Sequence, residues 1–372
     1  MTSQAATYKD ALSRGRYALV GAGQLGAMSL KLWPAAVTPP EFILDSVKTG
    51  ALDGIEIRDL RSHVRAPGVT YLASAFKMTP PQMKDIFRAI GQDDILTVYD
   101  VFEAFMPAVF GNGWHNLSPS PETKRRLAKL PQLYADDLSR ATCDAATAWR
   151  YRRELVDDYP VGSEDDKYNL APFERAATHY DVVYDCGSYD FSLVKSLAAA
   201  RITFDTIVAF EADPKSYAVC DDRVAAWQPR SDVEAVLDSR AICDRHGHGA
   251  FIASGLLTAR LVEAQSLAHP DLTVVETCTL DDAHEERFGW RASSAARILI
   301  KLHIEGAELA ALKGAAQIIR ATHADILLNL SHDERSYLDI PEFLAGFGCY
   351  DIFLRSHSLF GEGLTLFARR RD

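Results

Sequence analysis

No two cysteines of this 372-residue chain stand at CxxC spacing; the six (Cys143, Cys186, Cys220, Cys243, Cys278 and Cys349) are scattered singly. That pattern argues against a zinc ribbon or a disulfide frame and fits reduced thiols in a cytoplasmic protein. Positive charge is in deficit as well: 40 Lys and Arg face 51 Asp and Glu, a formal net charge of -11. Nucleic acid as the main partner is thereby disfavoured, because phosphate binding needs a basic surface. No apolar run approaches the roughly 20 residues that cross a bilayer. The opening Met1-Thr2-Ser3-Gln4-Ala5-Ala6 has no basic stretch followed by an apolar one, so no signal peptide is expected. Internal repeats and low-complexity tracts are absent, and no nucleophile elbow supports a hydrolase reading of Ser331-His332-Asp333. That segment follows an apolar strand and is expected to face a cleft.

Hydrophobic residues make up 48% of the chain, enough for two domains. Three stretches stand out. Residues 1–111 alternate short apolar strands (Arg16–Val20, Glu41–Leu44, Thr70–Ala73, Ile95–Val98) with helical segments at Ala27–Leu32 and Pro81–Ile90. Such alternation implies a parallel, doubly wound sheet. Residues 112–178 open on Gly111-Asn112-Gly113 and Ser118-Pro119-Ser120-Pro121, then turn charged and poor in β-branched clusters from Glu122 to Asp157, which reads as a helical bridge. Across residues 179–372 the alternation resumes, with strands expected at Val182–Tyr184, Ile207–Phe210, Arg297–Leu302, Ile326–Leu330, Asp351–Leu354 and Leu364–Ala368. The last two are joined across a tight Gly361-Glu362-Gly363 turn and form a late antiparallel pair. The expected fold class is α/β, with two Rossmann-like lobes.

Gly21, Gly23 and Gly26 stand at GxGxxG spacing between a strand and a helix, where backbone can approach a pyrophosphate. Asp45 ends the next strand, where an acid can accept hydrogen bonds from a ribose. The alternative is that these glycines only permit tight strand–helix packing. At mid-chain, Val183-Tyr184-Asp185-Cys186-Gly187-Ser188-Tyr189-Asp190 runs from an apolar strand into an acidic, glycine-containing turn. Phe210-Glu211-Ala212-Asp213-Pro214 places an acid at the next strand end and a proline suited to a first helical turn. Ile300-Lys301-Leu302-His303-Ile304-Glu305-Gly306-Ala307-Glu308-Leu309 carries a buried strand straight into a helix that continues to Gly314.

These segments, with Thr279-Leu280-Asp281-Asp282, resemble the FkbM family of S-adenosylmethionine-dependent methyltransferases. Asp137-Leu138-Ser139-Arg140, Tyr151-Arg152 and Phe353-Leu354-Arg355-Ser356-His357 resemble a subset that also carries an N-terminal Rossmann-like lobe and a helical bridge. The resemblance implies a class I methyltransferase sheet for residues 179–372. It implies S-adenosylmethionine as cofactor, with Asp185, Gly187, Ser188 and Tyr189 around the methionine part and Glu211 on the ribose. Asp244 would border the adenine. Asp45-Ser46-Val47-Lys48-Thr49-Gly50 and Asp53-Gly54-Ile55-Glu56-Ile57 resemble the N-terminal domain of bacterial amino-sugar acetyltransferases, implying a nucleotide-sugar site in the first lobe.

Two positions depart from the family pattern. Phe191 stands where the subset has the last glycine of its first turn, and unless its ring turns into the core it crowds the methionine pocket. His303 stands where the family has aspartate. A neutral imidazole there could serve as general base, be a structural histidine held by a backbone carbonyl, or mark a fold that keeps binding and has lost activity. Glu305 is expected nearer the cleft, and Glu308 is expected to be structural at a helix start. His246 and His248 admit a metal reading, but a glycine-punctuated hairpin turn over Asp244–Gly249 is the favoured one.

The implied function is methyl transfer from S-adenosylmethionine to a hydroxyl of a sugar, nucleotide sugar or glycosylated metabolite, with His303 and Glu305 as catalytic residues and no metal. The alternative is a catalytically degenerate fold serving as a nucleotide-sugar binding or scaffold protein. The expected partner is a small molecule, not nucleic acid or membrane, with self-association open.

Overall fold

The structure is a computed structural model describing residues 12, 16–33, 37–75, 78–105, 119–162, 167–168, 170–173, 179–227, 232–252, 260–262, 272–290, 296–332, 334–359 and 363–371. It divides into two compact units: Met1–Ser118 with Ala145–Glu164 and Ser358–Glu362, and Pro119–Asp144 with Asp165–His357 and Gly363–Asp372.

The first unit runs β1 (Tyr17–Val20), α1 (Gln24–Leu32), β2 (Phe42–Asp45), β3 (Gly50–Leu52), β4 (Ile55–Asp59), β5 (Thr70–Ala73), α2 (Pro80–Ala89), β6 (Leu96–Thr97) and α3 (Val98–Phe105). Its six-stranded sheet has the order β3-β4-β2-β1-β5-β6, parallel except for the β3–β4 pair. Every residue of β1 is buried, as expected for a strand covered on both faces. Thr79 and Gln82 close a capping box at the start of α2, with Pro80 in its first turn. Tyr17, Leu19, Phe42, Tyr71, Phe87 and Tyr99 belong to this unit's own core.

The second unit begins with α4 (Pro121–Lys129) and the first half of α5 (Asp137–Arg152). There follow β7 (His179–Cys186), α6 (Leu193–Ala199), β8 (Thr203–Phe210), α7 (Pro214–Trp227), β9 (Glu234–Asp238), β10 (Ala241–Ile242), β11 (Gly247–Ile252), β12 (Arg260–Val262), β13 (Leu272–Cys278) and α8 (Leu280–Arg287). The remainder is β14 (Arg297–Leu302), α9 (Glu308–Lys313), α10 (Ala316–Ala321), β15 (His323–Asn329), α11 (Glu334–Ala345), β16 (Tyr350–Ser356) and β17 (Leu364–Arg370). Seven strands form one sheet in the order β16-β17-β15-β14-β7-β8-β9. The last strand lies antiparallel between β15 and β16, so the expected late antiparallel pair is present. The strand order reverses between β14 and β7, whose carboxyl ends define the crevice in which such folds bind ligands.

Two segments singled out in the sequence meet in this unit. Arg355 pairs with Asp136 at 2.7 Å and donates to Ser139 Oγ at 2.8 Å, while the Leu354 amide donates to the same hydroxyl at 2.9 Å. A four-stranded sheet, β10-β13-β11-β12, is inserted between β9 and β14. This corrects the expected hairpin over Asp244–Gly249: β10 and β11 flank β13 on opposite sides and do not pair with each other. The expected turn at Gly361-Glu362 lies outside the described residues; just before it, Leu359 is buried in the first unit's core.

Candidate active site at the carboxyl edge of the seven-stranded sheet

Parallel pairing puts Lys301 of β14 directly opposite Asp185 of β7. Both side chains are buried, 4% and 0% exposed, with Nζ 2.8 Å from Asp185 Oδ1. The ammonium also donates to the Gly187 carbonyl at 2.7 Å. Burial disfavours the lysine charge, but the Asp185 carboxylate more than reverses this and Lys301 stays protonated. The turn is clamped on its other side as well. Ser188 Oγ donates to Asp185 Oδ2 at 2.8 Å, and the Gly187 and Ser188 amides donate to the Phe210 carbonyl at 2.9 and 3.0 Å. Gly187 has φ of +72°, and a Cβ there would lie 2.0 Å from the His303 carbonyl oxygen, so no other residue fits.

Tyr189 follows with φ of +54° and is 44% exposed. Its amide donates to Glu211 Oε2 at 2.8 Å, and the Asp213 amide to Oε1 at 2.9 Å. Burial raises the Glu211 pKa, which these two amides oppose. Each carboxylate oxygen keeps a lone pair, so the two acceptors fit the hydroxyls of a ribose diol at the end of β8. Phe191, at φ of +55°, turns its ring into the core, edge-on to Trp227 at 5.6 Å. It packs away from the turn, which removes the crowding its sequence position suggested.

Beyond β14, His303 Nδ1 lies 2.8 Å from the Tyr168 hydroxyl, and its Nε2 lies 3.3 Å from Glu305 Oε1. The histidine thus has a phenol for its partner where a backbone carbonyl was one expectation. Burial, then the charge of Lys167, lowers the His303 pKa to about 3, so the ring is neutral. Burial and the nearby Lys301 lower Lys167 to about 8. Glu305 adopts φ of +51°, a left-handed conformation that side chains rarely take. Its Oε1 is also 3.3 Å from His332 Nε2. His332 Nδ1 in turn lies 2.7 Å from Glu308 Oε1, and Glu308 accepts the Ile304 and Gly306 amides at 2.9 Å each. Burial opposes charge on His332, but Glu308 and Glu305 outweigh it and raise its pKa above the usual imidazole value. Burial would raise the Glu305 pKa, yet the two histidines keep it well below the usual carboxylate range.

Sequence reasoning placed Asp185, Gly187, Ser188, Tyr189, Glu211, His303 and Glu305 on the carboxyl edges of three adjacent strands. It missed three partners. Lys301 is visible only once the strand register is known, Tyr168 stands far from His303 in the chain, and His332 was noted without its contact to Glu305. Asp333 lies outside the described residues. Asp244 is exposed in a bend between β10 and β11, beside Arg245. His246 and His248 are exposed, and among the described residues neither joins a cluster able to hold a metal. Thr279 caps α8 through the Asp282 amide, and Asp281 accepts the Gln317 and Ile318 amides at the start of α10, so that motif builds structure.

In the first unit, a Cβ on Gly21 would lie 2.8 Å from Ala75 Cβ, and one on Gly26 would lie 2.5 Å from the Gly21 carbonyl oxygen. Both positions are packing requirements. Gly23, at the start of α1, faces open space. Asp45 spends its carboxylate locally: Oδ2 accepts the Ala22 amide, and Oδ1 accepts those of Val47 and Lys48, each at 2.8 Å.

No protein-family model and no curated protein matches the sequence. Among solved structures, the methyltransferase FkbM from Methylobacillus flagellatus KT superposes with a TM-score of 0.65 at 16% identity, over 98% of this chain and 93% of that one. The chain shares that fold. The precorrin-6y C5,15-methyltransferase from Geobacter metallireducens GS-15 aligns with a TM-score of 0.32 at 13% identity, over 58% of this chain and 97% of its own. For the O-methyltransferase TomG from Streptomyces achromogenes the values are 0.31, 13%, 67% and 96%. The fold expected from the family resemblance is therefore borne out, including the first unit, because the FkbM match spans nearly the whole chain. Among the described residues, no helix is long and apolar enough to cross a membrane.

Proposed function

We propose that this protein is an S-adenosylmethionine-dependent O-methyltransferase acting on a hydroxyl of a sugar, nucleotide sugar or glycosylated metabolite. The observation that carries this is the turn after β7, locked by Lys301, Asp185 and Ser188 beside the buried Glu211 carboxylate. The bound cofactor supplies an electrophilic methyl group on sulfur. Glu211 takes the ribose hydroxyls, and the Gly187–Tyr189 backbone lies along the methionine part. Glu305, ionised and held by His303 and His332, takes the hydrogen bond of the acceptor hydroxyl. His303 orients that carboxylate and the acceptor. A ring with a pKa near 3 is a weak base, so catalysis rests mainly on alignment of the acceptor oxygen with the methyl–sulfur bond.

For the first unit we propose a nucleotide-sugar site at the start of α1, near Gly23, where the glycine leaves open space. Calorimetric titration with S-adenosylmethionine and S-adenosylhomocysteine tests the main reading. Micromolar binding, weakened at least about 30-fold in Glu211→Ala, is expected. Absence of binding at millimolar ligand overturns it.

A further inference from the structure

The His303–Glu305–His332 cluster has a geometry that a hydrogen-bonded network does not require. One ligand atom from each of the three residues lies within 4.8 Å of the other two, and both imidazole Nε2 atoms face Glu305 Oε1. The two Nε2–Oε1 separations are both 3.3 Å. Charge-assisted hydrogen bonds between such groups run to about 2.7–2.9 Å. Ligands at about 2.0–2.1 Å around a tetrahedral metal ion sit about 3.3 Å apart. The other ring nitrogens, by contrast, are at true hydrogen-bond length: His303 Nδ1 to Tyr168 at 2.8 Å and His332 Nδ1 to Glu308 at 2.7 Å. Metal-ligating histidines characteristically engage their second nitrogen in this way, which fixes the ring and aims the first. Glu308 is itself fixed by two backbone amides, and Glu305 is held in a left-handed conformation that aims its carboxylate between the rings. Two imidazoles and one carboxylate suit a divalent transition-metal ion.

We propose that His303, Glu305 and His332 bind a divalent transition-metal ion of the zinc, manganese or iron(II) class, with Tyr168 and Glu308 orienting the two imidazoles. In the methyl-transfer reading, on which this role alone rests, the open position takes the acceptor's hydroxyl oxygen.

The test uses the full chain. After chelation and desalting, Zn2+ and Mn2+ are titrated calorimetrically, and Co2+ is followed by its visible absorption. One equivalent with micromolar or tighter affinity for at least one ion is expected. Glu305→Gln and His332→Asn should each weaken it at least 100-fold, with unchanged circular dichroism. Tyr168→Phe, which removes one oxygen and leaves the ligands, should weaken it about 10-fold. The proposal is overturned if no ion binds near stoichiometrically at 100-fold excess over micromolar protein, or if binding survives both ligand substitutions unchanged. S-adenosylmethionine is titrated in parallel. Metal binding without cofactor binding sinks the methyltransferase reading and upholds the site; cofactor binding without metal does the reverse.

Discussion

Phe191 shows how far one residue can be read from sequence. Its place in the turn motif is plain, and so is the question it raises, because a ring replaces a glycine beside the cofactor turn. The answer lies in a dihedral angle: φ of +55° sends the ring toward Trp227, which stacks on Phe204. A glycine would adopt that conformation without strain, while phenylalanine gives up about 1–2 kcal/mol and recovers more by burial. Phe191→Gly should therefore lower unfolding free energy by about 2–4 kcal/mol in denaturant titration, while cofactor affinity moves less than about threefold. A large gain in affinity would show the ring in the pocket. Lys301 poses the opposite case, since its role is invisible without strand register. Lys301→Met leaves Asp185 buried and unpaired, so a loss of about 3–5 kcal/mol is expected, together with loss of cofactor binding. A near-neutral effect in urea would mean that the pair does not hold the turn.

At the scale of elements, legibility follows burial. β14 matches its expected bounds, Arg297–Leu302, because its buried run Ile298–Ile300 and Leu302 are apolar, as a strand covered on both faces requires. The sequence reading does not place β9 to β13: β9 has no fully buried residue, β10 and β12 are only two and three residues long, and β11 and β13 carry exposed polar residues, His248 and Glu276, that break their apolar runs. β15 carries a polar residue that its apolar run conceals. Asp325 accepts the Arg370 amide at 2.7 Å and the Tyr180 hydroxyl at 2.8 Å, tying β15 to strands at both sides of the sheet. Burial pushes its carboxyl up to about 6, against those two donors. The folded state thus holds a proton between pH of about 4 and 6 that the unfolded chain has released. That contribution is full below about pH 4 and is lost as pH rises through 6. Asp325→Asn keeps an acceptor for Arg370 and an amide for Tyr180 without the titration. Its stability relative to the parent should improve by on the order of 2–3 kcal/mol between pH 4 and 8. A difference that stays flat with pH would assign the carboxyl an ordinary pKa.

At the scale of the molecule, the chain leaves the second unit and enters the first within α5, after Asp144, and revisits the first at Ser358–Glu362. No composition break marks either point, since a helix can cross a boundary without changing its residues, and the revisit is a few residues between two strands. Each unit nevertheless owns a core, with Tyr17, Phe42 and Tyr71 in one and Val183, Leu299 and Phe367 in the other. Units with separate cores can unfold separately, and a ligand stabilises only the unit whose native state it binds. Scanning calorimetry should accordingly resolve two transitions. Phe42→Ala should lower one and Leu299→Ala the other, each by on the order of 10 °C, given about 3–4 kcal/mol lost per truncated side chain. Saturating S-adenosylmethionine should raise only the transition that Leu299→Ala lowers. If both substitutions instead lower one shared transition, the two cores melt as a single cooperative body, and the cofactor's stabilisation should then reach Phe42 as fully as Leu299.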